Sequence, residues 1–77
     1  ISMEKLMEMA DRITEACENF DGDEALKLAK VLCSCKLNEQ ALSVYFDEVK
    51  TYIDDYEYEM ALDSIRKAVE MIKEEEG

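Results

Sequence analysis

A single glycine, Gly22, lies inside this chain; the only other one is the last residue, and proline is absent. Glycine and proline are the residues that punctuate turns, so a many-stranded fold has little here to turn on. Ala, Leu, Met, Glu and Lys dominate the rest, and all of them favour helix. The fold class this implies is all-α. Seventy-seven residues make one domain with a core near the practical minimum. Chains this short depend on a staple, a partner or closely packed helices.

Apolar periodicity divides the chain into four helices. The first covers about residues 3–19, where Met3, Leu6, Ala10, Ile13, Cys17 and Phe20 recur in steps of three and four. Glu8 and Arg12 form an outward i,i+4 pair. The second begins after Asp21, which together with Glu24 matches an acidic capping box, and buries Ala25, Leu28, Ala29 and Leu32. Asn38 is an N-cap candidate for the third, whose stripe is Ala41 or Leu42, Tyr45, Val49, Tyr52 and Tyr56, with Asp47–Lys50 outside. The fourth carries Ala61, Leu62, Ile65, Ala68, Val69 and Ile72, with an Asp63–Lys67 pair. Its tail, "KEEEG", is expected to fray, because acids sit poorly at a helix C-terminus.

The two halves overlay. With an offset of 36, "NFDGDEAL" lies over "DYEYEMAL": Phe20 on Tyr56, Asp21 on Glu57, Ala25 on Ala61, Leu26 on Leu62. Upstream, Leu6 meets Leu42, Ala10 meets Phe46, Ile13 meets Val49 and Cys17 meets Ile53. Amphipathic helices align easily, so a duplication and a coincidence of pattern both fit. Either way each half reads as helix, aromatic–acidic bend, helix. The expectation is an antiparallel four-helix bundle made of two hairpins, about residues 1–37 and 38–77 of a single domain. An open stack of tetratricopeptide type, with its similar period, is the alternative. The start at Ile1 rather than methionine suggests a piece of a longer protein.

Net charge is −11, from 20 acids and 9 bases. That balance disfavours nucleic acid and anionic membrane surfaces and suits solubility, a basic protein partner or divalent cations. Nearly half the residues are apolar (48%), so the chain is not a disordered acidic tail. Three cysteines and no secretion signal fit reduced thiols in the cytoplasm.

Tests for chemistry are mostly negative. Around Gly22 a calcium loop fails: glycine at position 6 puts Cys17 at position 1 and Leu28 at position 12, and neither can ligate as required. Cys33 and Cys35 are too few for a closed zinc site, and there is no histidine to join them. No histidine also means no imidazole base, and neither a phosphate loop nor a nucleophile elbow is present. The expectation is no catalytic, cofactor or metal site. Five of the six aromatics lie between Tyr45 and Tyr58. Phe46 and Tyr58 fall off the main stripe, and Met7 and Met9 cannot easily both point into one small core. These four are the protein-contact candidates.

"NFDGDEALKLAKVL" and, about one repeat later, "YIDDYEYEMALDSIRKAVEMI" resemble the C-terminal region of some bacterial sensor histidine kinases and hybrid two-component proteins. In that family, short histidine-phosphotransfer-like bundles show aromatic–acidic bends followed by Ala-Leu helices. The likeness covers residues 16–72. The family carries phosphate on an exposed histidine; none exists here, so no residue inherits that role. The resemblance implies a phosphotransfer-like bundle without its acceptor, acting by docking, dimerisation or regulation beside other domains of its parent, or on a receiver or kinase domain. The parent would then be a histidine kinase.

Overall fold

The computed structural model describes residues 1–76. Among them are four helices, α1 (Met3–Glu18), α2 (Gly22–Cys33), α3 (Ser43–Asp54) and α4 (Tyr58–Glu76), and a two-stranded ribbon, β1 (Lys36–Leu37) with β2 (Gln40–Ala41). The chain is thus mostly helical, with a very small sheet that composition gave no reason to expect. α1 packs against α2 and α4, and α3 packs against the same two. Every helix therefore has two main neighbours, and its buried face is wide. The longest dimension, 31 Å, is close to the roughly 28 Å length of a 19-residue helix.

That width corrects two of the contact candidates. α3 buries Tyr45, Phe46, Val49 and Ile53 beneath its two neighbours, Leu42 just before it is buried too, and Phe46 has no exposed surface. The stripe read through Tyr52 and Tyr56 is narrower than the face that packing between α2 and α4 buries, which reaches Phe46. On α1 the same broadening takes in Met9, which is buried along with Leu6, Ala10, Ile13, Ala16 and Cys17. Met7 is half-buried at the edge.

The overlay at 36 residues holds in burial. Leu6 and Leu42, Ala10 and Phe46, Ile13 and Val49, Cys17 and Ile53, Ala25 and Ala61 are buried in both halves. Side-chain volume differs between equivalents, most at Ala10 and Phe46, so the halves share a pattern rather than a packing.

Local chemistry sets the ends. The Ser2 hydroxyl accepts from the Lys5 amide at 3.1 Å and caps α1. Asp21 caps α2, accepting from the Glu24 amide at 3.3 Å. The return arm of a capping box is not used, since the Asp21 amide donates to the Ala16 carbonyl. Asn38 does not cap α3. With Glu39 it forms the two-residue turn of the ribbon, at φ 50° and 71°, in register Lys36 with Ala41 and Leu37 with Gln40. Both central residues of such a turn need positive φ, and asparagine accepts that conformation as readily as it caps a helix. α3 instead starts after Leu42 without a side-chain cap.

Outside, Asp47 pairs with Lys50 at 3.3 Å as expected. Glu8 pairs with Lys5, and Asp63 with Arg66, in place of the expected i,i+4 partners. Exposed pairs of this kind add little stability. α4 remains helical through Glu76 where fraying was expected; Gly77 lies outside the described residues.

Candidate protein-contact face

The α1–α2 and α3–α4 bends close in the same way. At the end of α1 the Phe20 amide donates to the Cys17 carbonyl and the Asp21 amide to the Ala16 carbonyl, at 3.1 and 2.8 Å. At the end of α3 the Tyr56 amide donates to Ile53 and the Glu57 amide to Tyr52, at 3.0 and 2.8 Å. This cap satisfies the last carbonyls of a helix by turning one residue left-handed, and that residue is usually glycine. Here it is Phe20 at φ 57° and Tyr56 at φ 62°. The residue after each then opens the next helix: Ala25 and Ala61 donate to the carbonyls of Asp21 and Glu57, each at 3.0 Å.

The left-handed step swings both aromatic side chains off the core. Phe20 is 75% exposed and Tyr56 79%, although each was expected to close a buried stripe. Their rings meet around Tyr58, which is half-buried. Phe20 and Tyr58 stand edge to face at 5.9 Å, and Tyr56 and Tyr58 at 6.5 Å. The two bends therefore lie at the same end of the molecule and form one surface. Gly22 is part of its design. A Cβ there would overlap the Tyr58 hydroxyl and lie 3.4 Å from its Cζ, so glycine makes room for the ring rather than supplying a flexible hinge.

A groove of about 350 Å³ runs through this end, lined by Phe20, Tyr56 and Tyr58, by Asp21, Asp23 and Asp54, and by Gly22, Leu26 and Ile53. Among the described residues no lysine or arginine lines it. Of the four contact candidates only Tyr58 belongs here. Met7 borders a different groove, between α1 and α4, with Leu62 and Val69. Phe46 and Met9 are core. Sequence reasoning missed Phe20 and Tyr56 as surface residues. The available signal was their equivalent place in the overlay, immediately before the acid that opens the next helix.

The opposite end is tied by polar contacts. Tyr45 donates to the Glu75 carboxylate and accepts from the Gln40 amide nitrogen at 2.9 Å, joining ribbon, α3 and α4. Between α3 and α4 the buried Ser64 hydroxyl donates to Glu48 at 2.9 Å. The Glu48 carboxylate also holds the Tyr52 phenol above its usual pKa, with smaller contributions from burial and Glu57.

Cys17, Cys33 and Cys35 are free thiols. Burial, then Glu18, raises the pKa of Cys17; burial also raises that of Cys33, against a lowering by Lys50. The Cys35 thiol lies 3.2 Å from the Val31 carbonyl. Raised pKa values at Cys17 and Cys33 are the opposite of thiolate activation. Among the described residues no three His, Cys, Asp or Glu side chains are grouped to hold a metal, and no helix is long and apolar enough to cross a membrane. Compared with known protein families, curated proteins and solved structures, the chain matches none.

Proposed function

We propose that this chain is a non-catalytic helical contact module of a bacterial two-component sensor histidine kinase, built as an antiparallel four-helix bundle of two hairpins. The observation that carries the contact role is the pair of aromatic residues held outward on left-handed backbone at both bends. A bulky L-residue in that conformation costs about 1–2 kcal/mol, and glycine would relieve it. Strain of this kind accumulates where a surface is used. The absence of any histidine supports a role without phosphoryl transfer or imidazole catalysis. The two-component context rests on the resemblance of residues 16–72. Packing of α1 on α4 favours the closed bundle over the open tetratricopeptide-like adaptor.

The partner is another domain of the parent protein, or a receiver or kinase domain. The test is titration of the isotope-labelled chain with those domains, followed by amide shifts. The reading expects saturable shifts centred on Phe20, Tyr56 and Tyr58. Absence of binding at low salt, where charge attraction is strongest, overturns it.

A further inference from the structure

We infer that the end face seats an arginine-bearing basic segment of the partner, its guanidinium stacked on the Phe20, Tyr58 and Tyr56 rings and paired with Asp23 and Asp54. This rests on the contact-module reading and narrows it to one partner chemistry.

Charge and ring geometry agree. Three aspartates are among the residues that line the groove. Asp21 is occupied as the N-cap of α2, which leaves Asp23 and Asp54. Neither is in an ion pair among the described residues; the pairs present are Lys5–Glu8, Asp47–Lys50 and Asp63–Arg66. Lys30 and Lys50 stand beside Asp54 in a separate groove on the α2–α3 flank and do not line the end groove, whose charged residues are all acidic. Edge-to-face rings keep part of their electron-rich faces open, and cations seat on such faces. An apolar partner would have to strip water from both carboxylates without replacing it, which is costly. A phosphate-bearing surface would be repelled by a chain of net charge −11.

Arginine fits better than lysine. Its guanidinium is planar, stacks on rings, binds carboxylates through two N–H groups and sheds water more easily than an ammonium. Rings and aspartates lining one groove offer both kinds of contact.

The experiment is calorimetric titration of the full chain with a short arginine-rich peptide, its lysine-for-arginine counterpart and an acidic control. The arginine peptide is expected to bind several-fold more tightly than the lysine peptide. The double variant Phe20→Gly/Tyr56→Gly, which keeps a backbone suited to its bends, should weaken arginine binding by roughly five- to thirtyfold while the chain keeps its helical circular dichroism. Asp23→Asn/Asp54→Asn should weaken it and flatten its salt dependence. Equal binding of the two basic peptides, undiminished binding by the glycine variant, or no binding of the arginine peptide overturns the inference. A receiver or kinase domain that binds and shifts Phe20 and Tyr56 while the arginine peptide does not would overturn this inference alone and leave the contact-module reading standing.

Discussion

Replacing Tyr56 by glycine, and separately by alanine, isolates the strain in the second bend. Tyr56 is 79% exposed, so both variants lose little buried area. Both also lose the edge contact with Tyr58, about 0.5–1.5 kcal/mol at most, and that loss cancels between them. What differs is the backbone. At φ 62° alanine keeps the steric penalty of roughly 1–2 kcal/mol, whereas glycine has none. Glycine also loosens the unfolded chain by about 0.5–1 kcal/mol. The difference, about 0–1.5 kcal/mol and centred on ~0.8 kcal/mol, leaves Tyr56→Gly more stable than Tyr56→Ala by about 3–6 °C in melting temperature at its centre for a domain of this size. Thermal and urea unfolding followed by far-ultraviolet circular dichroism measure it. Lys67, exposed within α4, is the control: there glycine should be the worse residue, by about 1 kcal/mol. The same pair of substitutions at Phe20 should follow Tyr56. An alanine variant as stable as the glycine variant at both bends would refute left-handed strain and, with it, the reason for regarding these rings as placed for contact.

Gly22→Ala should be neutral or destabilising in the native chain, because its Cβ meets the Tyr58 hydroxyl; in a Tyr58→Phe background the same change should stabilise by up to about 1 kcal/mol, and a double-mutant cycle in urea measures the coupling. Phe46→Ala removes a ring with no exposed surface and should cost about 3–5 kcal/mol, enough to populate unfolded chain at ordinary temperature; a surface Phe46 would change stability very little. With its pKa raised by burial, Cys17 keeps its proton in the folded chain at pH values where the unfolded thiol has lost it. Its contribution is therefore present below the unfolded pKa and is lost as pH rises through the folded one, so stability should decline from about pH 9 upward, as read from urea midpoints. In a thiol-reagent assay Cys33 and Cys35, both half-exposed, should label before Cys17, which should label only as fast as the chain opens; rapid native labelling of Cys17 would place it at the surface.

Much of the fold was legible. The helix faces followed from three- and four-residue spacing: Leu6, Ala10, Ile13 and Cys17 in α1, and Ala61, Ile65, Ala68 and Ile72 in α4, are all buried. Asp21 was identifiable as a cap because an acid preceding a helical run has one favoured use. Less of the contact face was readable. Tyr58 was among its candidates, but Phe20 and Tyr56 were assigned to buried stripes, since periodicity extends a face past the point where the helix stops. The ribbon turn was hidden because Asn38 suits a cap and a left-handed turn equally, and only the partner strand chooses between them.

The amino-acid sequence by itself determined the helical class, the approximate helix boundaries, the acidic charge and the correspondence between halves, because all of these depend on local propensity and spacing. Only the tertiary structure decided how wide each buried face is, since that depends on how many neighbours a helix has. It turned Phe46 and Met9 inward for that reason. It also brought Phe20, Tyr56 and Tyr58 into one cluster, because two bends 36 residues apart in sequence come to the same end only when the helices between them pack.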